Sequence, residues 1–347
     1  MASKESRPLQ EFDPVSFEPV DVAPSNKAIS RRQFFGLGVA TTVSTLVEID
    51  HDVKQRLWPP TKTRVEVVNY GDLSKGHQDE AWLVVPGTGV MYGEDTARLL
   101  ADQPEVDASK PVASVVFSNQ GLRLEDQTNA VANFIEDFKI RILHLLTQSG
   151  GGKNGVITVS NAQRLVGAPL ELGGFMLNCA PFKWGNVRDN AIMGNMLDTP
   201  LLGDALDTIY AKWLGIYIRN VLQEGPSSLL SSISKADHGT VTGCSPDLWT
   251  SMVRILKDTD VNDYDTSNVI SQRTQPLYCM PKRSSADPIV YNPDAAHDWN
   301  QYFRKHRTDL DINRLRVRGE CHANNTLAIK GSRSWLGHIT QAYSPVR

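Results

Sequence analysis

A chain of 347 residues that is 40% hydrophobic and 22% charged can bury one large core or two modest ones. Its formal net charge of −3 comes from mixed signs without clusters of lysine and arginine, which excludes a nucleic-acid footprint. The four cysteines, Cys179, Cys244, Cys279 and Cys321, lack the paired two-residue spacing of structural zinc sites, and neither a metal nor an organic cofactor is expected.

Residues 1–29 carry Pro8, Pro14, Pro19 and Pro24 and too few apolar side chains to offset the entropy of ordering, so they read as a disordered tail. Ser30-Arg31-Arg32-Gln33-Phe34-Phe35 follows, and then an uncharged stretch from Gly36 to Val47. Residues 30–47 resemble a twin-arginine export signal, which a translocase reads as an address. The apolar part, Phe34 to Val47, is shorter than the about 17 to 25 residues that span a bilayer. Export across the bacterial cytoplasmic membrane by the twin-arginine translocase is therefore the expectation, with a cytoplasmic protein as the alternative. Glu48, Asp50 and Asp52 replace a small-residue cleavage site, so the segment is able to stay attached as a tether. In an oxidising compartment the cysteines could pair, in a pattern the sequence does not give. Residues 48–62, with Trp58-Pro59-Pro60, form a stiff linker.

Beyond Thr63 the chain alternates between strand and helix patterns. Arg64 to Tyr70 and Ala81 to Pro86 read as strands, the latter ending in Gly87-Thr88-Gly89, and Glu94 to Leu100 as a helix. Val112 to Phe117 is a further buried strand, which makes the sheet parallel here. Leu124 to Phe138 places Val131, Phe134, Ile135 and Phe138 at helical spacing, and Ile140 to Leu146 then leads as a strand to Ser149 and three glycines. A second reading continues the helix through Leu146, makes Val156 to Val159 the strand and puts Ser160 at its end. The spacing disfavours it, because about ten residues then remain before Gly173 to Asn178, too few for a crossover helix with its turns.

Residues 183–272 show helical patterns, as in Leu206 to Leu222, Leu229 to Ile233 and Leu248 to Leu256, and read as a helical cap inserted between strands. Pro276 to Met280 resumes the sheet. A helix from about Ala296 to His306, a strand from Ile312 to Arg318 and a final helix from about Asn325 to Tyr343 complete the pattern.

Three residue types that together make a nucleophile, an acid and a base each follow a predicted strand: Ser149, Asp287 and His322. A parallel sheet gathers its strand C-termini along one edge, so these distant residues are expected to converge. Asp294 is the nearest rival acid, and His144, His238, His297 and His338 are the rival bases, but only His322 follows the last strand.

The order Ser, Asp, His, with the Leu-Leu-Thr-Gln-Ser-Gly-Gly-Gly turn, Asp287-Pro288-Ile289-Val290 and Gly-Glu-Cys-His, resembles the α/β-hydrolase superfamily over about residues 63–345. The resemblance implies a mostly parallel sheet flanked by helices, formed by residues 63–182 and 273–347, with 183–272 as the cap. It makes Ser149 the nucleophile, His322 its base and Asp287 the group that orients the imidazole. The backbone amides of Thr88 and Gly150 become the oxyanion hole. The implied activity is hydrolysis of a small-molecule or lipid-like carboxylic ester through an acyl-serine. A peptidase of the same fold and a catalytically silent binding protein are the alternatives. The sequence departs from the family pattern at Thr147, where a glycine is usual, at Pro86 in place of a histidine, and at Ser284 and Ser285, where no glycine precedes Asp287.

Overall fold

The computed structural model describes residues 60–70, 79–88, 92–188, 190, 245–283, 287, 289–317 and 325–343. The expected tail, the twin-arginine-like segment, most of the linker and residues 191–244 of the expected cap lie outside them. No helix among the described residues is long and apolar enough to cross a membrane.

Seven strands form one sheet in the order β1-β3-β2-β4-β5-β6-β7. They are β1 (Arg64–Asn69), β2 (Glu80–Val85), β3 (Val112–Val116), β4 (Ile142–Gln148), β5 (Glu171–Asn178), β6 (Ile270–Pro281) and β7 (Asn313–Val317). Only β1 runs antiparallel, on the β3 edge. The helices between them are α1 (Glu94–Ala101), α2 (Leu124–Phe138), α3 (Gly151–Val166), α4 (Pro246–Asp258), α5 (Asn292–His306), α6 (Asn325–Gly331) and α7 (Arg333–Tyr343).

Strand alternation sorts the core into two layers. Leu83, Leu145, Phe175, Leu177 and Tyr278 face α2, α3, α4 and α5, whereas Trp82, Leu146, Met176 and Leu277 face α1, α6 and α7. On the first face α5 buries Ala295, Ala296, Trp299, Tyr302 and Phe303 as one stripe, and Trp299 meets Phe182 edge-on with centroids 5.0 Å apart. Helix α2 ends where Lys139 turns left-handed at φ 53°, which lets the Ile140 amide donate back to the Ile135 carbonyl.

Two expectations change in the structure. Strand β6 starts at Ile270, inside the stretch read as cap, because its first half is polar and partly exposed and shows no apolar run. The last helix is two helices broken at Ser332, whose hydroxyl donates to the Ile329 carbonyl after Gly331. Within the described part of the insertion, α4 packs Leu248, Trp249, Met252, Val253 and Leu256 into the same core as α3. Ser245 caps α4 by accepting the Leu248 amide at 3.0 Å, with Pro246 in the first turn.

Candidate active site

Strand β4 ends at Gln148 and helix α3 begins at Gly151, so the chain reverses over two residues, Ser149 and Gly150. Ser149 does this in the left-handed region at φ 47°, which costs a residue with a Cβ roughly 1–2 kcal/mol. Its amide donates to the Asn178 carbonyl of β5 at 2.9 Å, and its carbonyl accepts the Gly152 amide at 3.0 Å. The hydroxyl is buried and has no hydrogen-bond partner among the described residues. A strained serine whose hydroxyl is spared from structural bonding is the geometry expected of a nucleophile elbow.

The glycines explain how helix and sheet come this close. A Cβ on Gly151 would lie 2.5 Å from the carbonyl oxygens of Val85 and Pro86, and one on Gly152 would lie 2.6 Å from the Ala180 Cβ. Gly87 backs onto the same turn, where a Cβ would meet the Gln148 carbonyl at 2.8 Å and the Ser149 Cβ at 3.0 Å. Thr147, the departure from the usual glycine, fits because the crowding is relieved across the interface. Its methyl faces Gly155, where a Cβ would stand 3.2 Å away, and its hydroxyl donates to the Met176 carbonyl at 2.8 Å.

Thr88 and Gly150 are neighbours, since a Cβ on Gly150 would touch the Thr88 hydroxyl at 2.7 Å. Neither amide donates a backbone hydrogen bond among the described turns and loops.

Ser160 stands in mid-helix, fully buried, with its Oγ 2.9 Å from the Asp265 carbonyl and 2.7 Å from Asn268 Oδ1. It fastens α3 to the loop before β6 and presents nothing at a strand end.

Asp287 follows β6, two strands across the sheet from β4. Its carboxylate is completely buried: Oδ1 accepts the amides of Ile289 and Val290 at 2.8 and 2.9 Å, and Oδ2 accepts Asn292 Nδ2 at 2.6 Å. Asn292 is itself oriented by the Tyr278 hydroxyl, which donates to its Oδ1 at 2.9 Å. Burial raises the Tyr278 phenol well above its ordinary range, so it remains a donor. The turn is also held from outside, where Arg188 donates its amide to the Ile289 carbonyl and Tyr291 donates to the Asn186 carbonyl. Asn292 and Tyr278 belong to no motif, and only the Asn-Pro step opening α5 marks the first of them in sequence.

His322 and Gly89 lie outside the described residues, as do Cys244, Cys321 and His238. Among the rivals, His297, His338 and Asp294 are exposed on helices. His144 is fully buried near the start of β4, where Nδ1 accepts the Gly174 amide at 2.7 Å and Nε2 therefore donates to Glu80 Oε1 at 3.0 Å. That ring needs Gly173 beside it, where a Cβ would come within 2.5 Å, and the β4–β5 register shifts here. His144 is a fastening of the sheet. Cys179 and Cys279 are both buried thiols outside any disulfide, and the Cys179 amide, in a left-handed residue at φ 49°, donates to the Cys279 carbonyl at 2.9 Å.

Lys153, one turn beyond Ser149, is the buried charge of this region. Its ammonium donates to the Leu256 carbonyl at 2.9 Å and to the Thr259 carbonyl, closing the C-terminal end of α4 against α3. Burial lowers its pKa from 10.5 to about 8, despite the opposing pull of Asp260, Asp258 and Asp263. Between these values the unfolded chain holds the extra proton, so this residue adds to stability as pH rises from 8 to 10.5 and the gain is lost as pH falls through 8. Denaturant unfolding of the wild type against Lys153→Met should therefore show the difference in stability growing in favour of the wild type across that window, by up to about 3 kcal/mol.

No family model matches the chain, and no curated protein matches it. Solved structures do. A proposed aryl esterase from Burkholderia cenocepacia superposes with TM-score 0.54 at 11% identity, covering 82% of this chain and 99% of its own. A hydrolase from Oleispira antarctica gives 0.51 at 13% identity, over 80% of this chain and 94% of its own. An AqdC variant that cleaves the ring of the Pseudomonas quinolone signal gives 0.51 at 10% identity, over 81% of this chain and 98% of its own. With its mostly parallel seven-stranded sheet, helices on both faces and a sharp strand-to-helix turn after β4, the chain has the α/β-hydrolase fold.

Proposed function

We propose that this protein is a serine hydrolase that cleaves a carboxylic ester, or a related acyl bond, of a small-molecule or lipid-like substrate. The observation that carries this reading is the left-handed backbone of Ser149 with its unpartnered hydroxyl at the head of α3. Such a residue is strained for no structural return, and the strain is accounted for if the hydroxyl attacks a substrate. In the proposed reaction Ser149 Oγ attacks the acyl carbon while His322 takes its proton. The amides of Thr88 and Gly150 receive the oxyanion, and His322 returns the proton to the departing alcohol. Water, activated by the same imidazole, then releases the acid from Ser149. Asp287 fixes the imidazole tautomer and stabilises its cation.

The test is a fluorophosphonate probe followed by peptide mass spectrometry. Label on Ser149 supports the reading; label on Ser160 overturns the choice of nucleophile, and no label overturns the enzyme and favours the binding protein. A screen of esters against peptides then separates esterase from peptidase.

We also infer export by the twin-arginine translocase, from Arg31-Arg32 and the uncharged run after them. Arg31→Lys with Arg32→Lys should retain the protein in the cytoplasm in a cell-fractionation blot, and unchanged export would remove the proposal.

A further inference from the structure

Ser149 is crowded by glycines on its α3 side, and something must hold the opposite side of the turn. Gln148 precedes it, and Asn178 supplies the carbonyl that accepts its amide. Leu146 and Met176, two residues earlier on these strands, pack in the α1, α6 and α7 layer, and alternation points Gln148 and Asn178 to the same side. There both side chains meet one residue, Asn325, the first of α6.

The Asn325 carboxamide is fully used. Its Oδ1 accepts Asn178 Nδ2 at 2.7 Å, and its Nδ2 donates to Gln148 Oε1 at 3.0 Å and to Thr96 Oγ1 at 3.0 Å. Its partners come from β4, β5 and α1, between 147 and 229 residues away in sequence. A group with one acceptor and two donors, all directed to different elements, is a geometric clamp. The bond to Asn178 leaves Asn178 Oδ1 buried and without a partner among the described residues, so that amide depends on Asn325 for its orientation.

We propose that Asn325 is a positioning residue for catalysis: by gripping Gln148 and Asn178 together it keeps the ends of β4 and β5 in register and so aims the Ser149 hydroxyl. This rests on the reading of Ser149 as the nucleophile. A shift of the order of 1 Å at a reacting atom costs on the order of 100-fold in rate.

The experiment measures saturation kinetics of fluorophosphonate labelling in the full chain, separating the maximal inactivation rate from the half-saturating probe concentration. Asn325→Ala should lower the maximal rate about 10- to 100-fold with the half-saturating concentration unchanged. Ser332→Ala, which removes a buried hydroxyl from the α6–α7 junction without touching β4 or β5, should lower the melting temperature and leave the rate alone. If Asn325→Ala does not fold, Asn325→Asp keeps the shape and the acceptor for Asn178, loses both donors and is expected to show the same loss. An unchanged maximal rate in the Asn325 variant, an effect on half-saturation instead, or an equal fall in Ser332→Ala overturns the proposal. A wild type that never labels overturns the nucleophile reading, and this inference falls with it.

Discussion

Ser149→Ala is expected to abolish esterase activity and fluorophosphonate labelling, by on the order of 10⁴- to 10⁶-fold, while leaving the fold intact. The size of the loss follows from the chemistry, since without the hydroxyl no covalent intermediate forms and only positioning and oxyanion stabilisation remain. Stability should move the other way. The hydroxyl is buried without a partner among the described residues, so its removal forfeits no hydrogen bond to them and relieves a desolvation cost. Ser149→Gly should go further, because glycine occupies φ 47° without the Cβ clash, and thermal melting should report a gain of about 1 kcal/mol. An inactive variant that melts above the wild type would be direct physical support for strain kept at this position for function. Retained hydrolysis in Ser149→Ala would dismiss the mechanism.

Asp287→Ala is expected to damage both activity and stability. The carboxylate receives three donors in a fully buried turn, and their loss of an acceptor should cost about 3 kcal/mol or more in chemical denaturation. Turnover should fall about 10⁴-fold, because an imidazole without its orienting anion samples the wrong tautomer. Asn292→Leu separates the two contributions. It removes one donor to Asp287 and one of the two acceptors of the Tyr278 hydroxyl, so it should lower stability while keeping most turnover. If Asp287→Ala lost stability alone, the residue would be the keystone of its turn and nothing more.

The strands and most helices are readable from the sequence because burial imposes a period. Ala81 to Pro86 is apolar without a break and Val112 to Phe117 is broken only by Ser114, as suits strands covered on both faces, and Leu124 to Phe138 matches its helix end for end. The elbow is readable because an apolar strand running into Ser149 and three glycines has few other uses. Thr147 looks like a defect in one dimension, and only the packing shows that Gly152 and Gly155 make room for it. The first half of β6 stays hidden because an exposed polar strand end has no apolar period to detect. The residues that hold the site, Asn292, Asn325 and Lys153, are equally silent. Asn325 and Lys153 act through partners far away in sequence and Asn292 through a turn and a strand close by, and a carboxamide or a lysine carries no local pattern that distinguishes a surface residue from a clamp.

The close approach at Gly87, Gly151 and Gly152 also sets the terms for anyone wishing to reshape this turn. Main-chain atoms confront two of these positions, so redesign there would move the whole scaffold. Gly150 differs, since only side-chain ends, Thr88 Oγ1 and Leu256 Cδ2, face it. A side chain is therefore easier to admit at Gly150 than at the three bare positions beneath it, which are best left alone.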